Sequence, residues 1–130
     1  MGFTFINKLP TPAEIREQFP LDPKLAQLKS QRDEEIRKVF TGESNKFLVI
    51  IGPCSADNEE AVCDYASRLV KVQEKTKDRL IIIPRVYTNK PRTTGEGYMG
   101  MIHQPDPEKR PDMFEGILAI RHMHMRVLRE

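Results

Sequence analysis

Arg85, Lys90 and Arg92 place three fixed positive charges in one short stretch, IIIPRVYTNKPRTTGEG at 81–97, with the hydroxyls of Thr93 and Thr94 beside them. Cations gathered in this way predict an anion site. Lys and Arg on a loop are ordinarily just solvated, so it is the clustering that argues for a ligand. A second chemical group stands earlier in the chain, at Cys54. A thiolate beside Lys and Arg is stabilised electrostatically, which makes Cys54 a nucleophile or a metal ligand if it shares an edge of the fold with the cationic loop. The competing reading, a buried small hydrophobe, is the ordinary one for a free cysteine and fits Cys63 inside a helix. Imidazole could come from His103, His122 or His124, but the last pair are two apart on a helix and point different ways, so they do not chelate together.

The elements that must position these groups can be read from pattern. Residues 80–83 have the length and β-branched content of a buried strand, and everything after Tyr87 reads as loop, through Pro91, Gly95 and Gly97. Residues 47–51, FLVII, are continuously apolar, which predicts a strand buried on both faces and therefore a parallel sheet. Gly52 and Pro53 stop that strand. A helix from Asp57 or Asn58 to about Lys77, with Val62, Ala66, Leu69, Val70 and Val72 as its inner face, links the two strands. Strand, helix and strand form a crossover unit, right-handed if both strands share a sheet. Ligands bind at the loops that follow parallel strands, so Cys54 and the 85–94 loop are expected at one sheet edge.

Upstream, Phe3 and Phe5 alternate with Thr4 in a short arm, as in an edge strand or docking segment. Thr11, Pro12 and Glu14 make a helix start, with a capping hydroxyl, Pro at the first helical position and Glu three residues after the cap. Asp22 and Pro23 begin a second helix, whose Leu25, Leu28, Ile36, Val39 and Phe40 recur at near-helical spacing until Gly42. Downstream, Pro105, Pro107 and Pro111 keep 97–111 a loop, and Asp112 caps a last helix carrying Met113, Ile117, Ile120, Val127 and Leu128. That helix reaches Glu130 with no Gly, Asn or Pro terminator, so the sequence reads as cut rather than finished.

Composition bounds the function classes. With 130 residues, 31% charged and 38% hydrophobic, the chain is about one globular domain. Its longest clear apolar run, 47–51, is far short of the roughly 20 residues that span a bilayer, which excludes a membrane protein. A formal net charge of +2, interspersed with acids and lacking an aromatic platform, argues against nucleic acid. Two cysteines in no metal-finger spacing, and no secretory opening, point to a reducing cytoplasm.

Three words carry a family resemblance: IGPCS at 51–55, RVYTNKPRTT at 85–94 and GYMGMIHQPDP at 97–107. Together they resemble the amino-terminal part of class I 3-deoxy-D-arabino-heptulosonate 7-phosphate (DAHP) synthase, of the phenylalanine/tyrosine-regulated type, and the resemblance covers almost the whole chain. It implies an α/β fold: an incomplete (β/α)8 TIM barrel, its first two strand-helix units at 46–130, preceded by a helical extension at 1–45. A complete barrel takes about 250 residues. The implied activity is condensation of phosphoenolpyruvate with D-erythrose 4-phosphate and water, giving DAHP and phosphate, the first step of the shikimate pathway to chorismate and the aromatic amino acids.

By position, Cys54 resembles the family's metal-ligating cysteine, Arg85 and Lys90 its phosphoenolpyruvate contacts and catalytic cations, and Pro91, Arg92 and Thr93 its erythrose 4-phosphate contacts. A phosphorylated enolpyruvate needs cations at both phosphate and carboxylate, and the guanidinium fork matches either group. The resemblance further implies a divalent metal ion whose His, Glu and Asp ligands come from later strands, a homo-oligomer and an aromatic amino-acid effector. Met99 stands where the family commonly has Lys. A reading of another class is a non-catalytic fragment that binds or regulates a full-length synthase.

Overall fold

The two strands find each other across a helix, as a parallel pair requires. In the computed structural model, which describes residues 2, 4, 7–90 and 95–130, the order is α1 (Pro12–Gln18), α2 (Pro23–Phe40), β1 (Phe47–Ile51), α3 (Glu59–Thr76), β2 (Leu80–Pro84) and α4 (Met113–Val127). β1 and β2 pair in parallel register from Phe47 against Leu80 to Ile51 against Pro84. Parallel strands cannot be joined by a tight turn, and α3 supplies the return path. Phe3 and Phe5 lie outside the described residues.

Each helix begins where a side chain can satisfy its free amides. Thr11 and Glu14 form a reciprocal capping box at α1. The Asp22 carboxylate accepts from the Lys24 N–H at α2, the Asn58 side chain from Ala61 at α3, and Asp112 from Phe114 and Glu115 at α4.

Burial departs from the sequence expectation at β1. Phe47 is 70% exposed, Ile50 68% and Ile51 42%. Its apolar run is not enclosed on both faces, and among the described residues β2 is its only strand partner. On α3 the buried residues are Val62, Cys63 and Ala66, while Val70 and Val72 are exposed. The stripe at 62, 66, 69 and 73 lies along one side of the helix, and positions 70 and 72 flank it on either side. Cys63 is buried on the flank where α4 packs against α3.

The core is small: Ala56, Val62, Met101 and Met123, with Val86, Ala119, Ile120 and Val127 packed around it. It joins α3, α4 and the loops after both strands. Polar ties reinforce the α3–α4 contact, since Glu59 bonds His122 Nδ1 at 2.9 Å and also pairs with Arg126, which reaches Glu60 as well. Helix α2 has no buried residue, and its Leu25, Leu28 and Ile36 form one wall of an apolar groove of about 400 Å3 against α3 and β2. No helix among the described residues is long and apolar enough to cross a membrane.

The open edge of β2 is covered by a side chain. Arg79 and Arg85 turn backbone groups toward β1, so the alternate residues Leu80 and Ile82 turn theirs outward. Gln73 from α3 takes both: its Nε2 donates to the Leu80 carbonyl at 3.0 Å, and its Oε1 accepts from the Ile82 N–H at 2.6 Å. One carboxamide thus imitates a residue of a neighbouring parallel strand.

Candidate active site

Gly52 brings the two strand exits together. A Cβ at this position would lie 2.1 Å from the Arg85 carbonyl oxygen, so only glycine allows the backbone just after β1 to lie against the backbone just after β2. Two backbone bonds fix this approach: Arg85 N–H to Ile51 O at 2.8 Å, and Ala56 N–H to Tyr87 O at 2.7 Å.

The Arg85 side chain then ties the loops across the gap. Its Nη1 donates to the carbonyls of Pro53, at 2.7 Å, and Cys54, at 3.2 Å, and its guanidinium carbon stands 4.6 Å from the centroid of the Tyr87 ring. Stacking on one side and carbonyls on another hold the planar group in a set direction. Among the described residues nothing bonds its Nε or Nη2, which leaves donors for an anion. Cys54 therefore shares the strand-end edge with Arg85 through its backbone, and its thiol is free and exposed. Beside it the Ser55 hydroxyl is buried without a hydrogen-bond partner among the described residues.

Lys90 sits where the chain doubles back. Asn89 and Gly100 form an antiparallel bridge, the Lys90 N–H donates to Met99 O at 3.2 Å, and the Met101 N–H to Thr88 O at 3.0 Å. Gly100 allows this with a φ of +107° and with no room for a Cβ, which would lie 2.6 Å from Thr88 O. Tyr87, Asn89, Lys90, Met99, Ile102 and His103 enclose a cleft of about 340 Å3. Pro91, Arg92 and Thr93 lie outside the described residues.

The histidines part company. His103 lines the Lys90 cleft, whose walls do not include Cys54. His122 is engaged by Glu59, and burial, with Arg121 adding to it, pushes the His124 imidazole below its ordinary range. Burial likewise pushes the Cys63 thiol up, against the opposing pull of Arg126, which makes it the less reactive cysteine. The described residues contain no group of three His, Cys, Asp or Glu side chains able to hold a metal ion. Cys54 is thus at most a single donor and cannot hold a metal ion with the described residues alone.

By sequence pattern alone Gly52 is only a strand terminator and Tyr87 only the start of a loop. The clearance at Gly52 and the anchoring of Arg85 on the Pro53 and Cys54 carbonyls depend on partners more than thirty residues away in sequence. The one local signal was the glycine at the end of an apolar run.

Comparison with known proteins gives concordant results. The family model described as the DAHP synthetase I family matches residues 18–117. A phospho-2-dehydro-3-deoxyheptonate aldolase of Corynebacterium glutamicum is 36% identical over 115 residues, 88% of this chain and 31% of that protein. The Phe-sensitive enzyme of the same name from Escherichia coli is 35% identical over 118 residues, covering 91% and 33% respectively. The solved structure of phospho-2-dehydro-3-deoxyheptonate aldolase from Francisella tularensis SCHU S4 superposes with a TM-score of 0.87 at 25% identity, over 98% of this chain and 37% of that one. The chain spans about a third of the length of these curated relatives.

Proposed function

Because the chain belongs to the DAHP synthetase I family, we propose that its strand-end loops form part of the substrate site of a 3-deoxy-7-phosphoheptulonate synthase, a transferase joining phosphoenolpyruvate to D-erythrose 4-phosphate. The bond formed is carbon to carbon, as in an aldol addition, and water enters as phosphate is released. The observation that carries the reading is Arg85, oriented by the carbonyls of Pro53 and Cys54 and by Tyr87, at the same strand exit as Lys90. Two positioned cations suit an enol phosphate that also bears a carboxylate.

In this reading Arg85 and Lys90 hold phosphoenolpyruvate, and Pro91, Arg92 and Thr93 contact erythrose 4-phosphate. Cys54 is one donor to a divalent metal whose other ligands lie outside these 130 residues. Residues 46–130 are the first two units of a (β/α)8 barrel and 1–45 an extension, a division supported by superposition on 37% of the longer Francisella tularensis chain. An aromatic amino-acid effector, a homo-oligomer and a cytoplasmic setting belong to the same proposal. The Escherichia coli relative named Phe-sensitive supports the effector.

Calorimetric titration tests the assignment. Lys90→Ala is expected to weaken phosphoenolpyruvate roughly tenfold or more, the loss of one charge-assisted contact, and to leave erythrose 4-phosphate nearly unchanged. Arg92→Ala is expected to do the reverse, with Thr93→Ala acting in the same direction and less. Equal weakening of both ligands, or of neither, would reduce the loop to a solvated charge cluster. The 130 residues alone are expected to give no turnover with any divalent metal, and turnover abolished by Cys54→Ala would overturn that expectation.

A further inference from the structure

His103 occupies a position that the substrate assignment above leaves unused. It lies on the turn between Gly100 and the start of α4, and both of its backbone groups are engaged: its N–H donates to Gly100 O at 3.1 Å and its carbonyl accepts from the Asp112 N–H at 2.9 Å. The same turn is pressed onto α4, since a Cβ on Gly116 would lie 2.0 Å from Ile102 O. The Asn89–Gly100 bridge locks its other end to the loop that carries Lys90. The imidazole is thus borne by a backbone pinned at both ends, the kind of support that holds a binding group in place.

Into the cleft of about 340 Å3 the structure brings His103, Lys90 and Asn89, with Tyr87 as one wall and, among the described residues, no carboxylate in the lining. None of the His103, Lys90 and Asn89 side chains has an ion pair or hydrogen bond among the described residues, whereas His122 is paired with Glu59. Arg85 stacks on the Tyr87 ring, so a second fixed cation besides Lys90 stands beside that wall. An ammonium, an imidazole N–H and an amide offer donors from separate points, an arrangement suited to an oxyanion with several acceptor oxygens. The volume matches that of a small-metabolite site.

We infer that His103 is a further anion-binding residue, which together with Lys90 and Asn89 forms a subsite for the phosphate group of a small phosphorylated substrate. The inference rests on the proposed substrate site and adds a residue to it. Its ligand class is a phosphate group, not a lone carboxylate.

The test is NMR of the ring C–H resonances of the three histidines in the 130-residue chain, assignable by single substitution. The probes are inorganic phosphate, phosphoenolpyruvate and pyruvate. Phosphate and phosphoenolpyruvate are expected to shift the His103 resonances, leaving those of His122 in place, and pyruvate is expected to shift neither. His103→Ala should weaken inorganic phosphate roughly fivefold, one hydrogen bond's worth, and His103→Gln should recover part of that loss. Resonances that stay still with all probes overturn the inference, as does a response to pyruvate equal to that to phosphoenolpyruvate. The wild-type titration decides this even if a variant misfolds. A His103 response to inorganic phosphate without any preference for phosphoenolpyruvate would uphold the subsite while counting against the proposed substrate.

Discussion

At Gly52 a single hydrogen in place of a methyl group decides whether the two strand exits can meet. The atom nearest a new Cβ, at 2.1 Å, is the backbone oxygen of Arg85, which cannot swing aside as a side chain would. Gly52→Ala is therefore expected to lower stability by about 1–3 kcal/mol, as overpacking does, and a denaturation midpoint equal to that of the wild type would show that the loops are not seated in this way. The two cysteines should separate as sharply in chemistry. Cys54 is exposed and Cys63 buried, and burial raises the Cys63 thiol. A thiol-reactive disulfide reagent at neutral pH should modify Cys54 at least about tenfold faster, and equal rates in the native protein would contradict the packing of α4 on α3.

At the scale of elements, Gln73 and Glu59 do different work on α3. Gln73 satisfies the Leu80 carbonyl and the Ile82 N–H on the open edge of β2, groups that otherwise offer a template for another strand. Gln73→Leu keeps the bulk and removes both bonds, so the Ile82 amide should exchange faster and the chain should self-associate at lower concentration. Unchanged exchange at Ile82 would refute the role. Glu59 is pushed up by partial burial, but its bonds to His122 and Arg126 outweigh this and hold its carboxyl below the ordinary value of 4.5. A carboxyl lowered in the folded state gives stability that is complete above its unfolded pKa and lost as pH falls through the folded one. The melting temperature should therefore decline from about pH 5 toward pH 3, and the decline should be shallower in Glu59→Gln. Parallel slopes in the two proteins would remove Glu59 from the account.

For the whole molecule, the balance between core and exposed apolar surface is decisive. Met123 is the only large side chain below 2% exposure among the described residues, while Phe40 is 79% exposed, Phe47 70% and Ile50 68%. A fold with so little enclosed surface has little free energy to set against chain entropy. The isolated 130-residue chain should accordingly sediment as concentration-dependent oligomers and unfold over a broad range. A sharp monomer boundary with a cooperative transition would mean that the apolar face of β1 is covered in solution.

What the chain dictates locally was legible before any coordinates. Thr11 with Glu14, Asp22 before Pro23, and Asp112 mark helix starts because a side-chain oxygen meets amides within three residues. The β-branched runs at 47–51 and 80–83 announced strands, the helix between them forced a parallel crossover, and the words around Cys54 and Arg85 pointed to the family. Tertiary structure decided what depends on distant partners. It set the direction of the Arg85 guanidinium, the clearance at Gly52, the placing of His103 beside Lys90 and the cover that Gln73 gives to β2. It also decided that Phe47 and Ile50 are exposed. An apolar run records a preference for burial, but only the neighbours that the chain brings to it determine whether that preference is met.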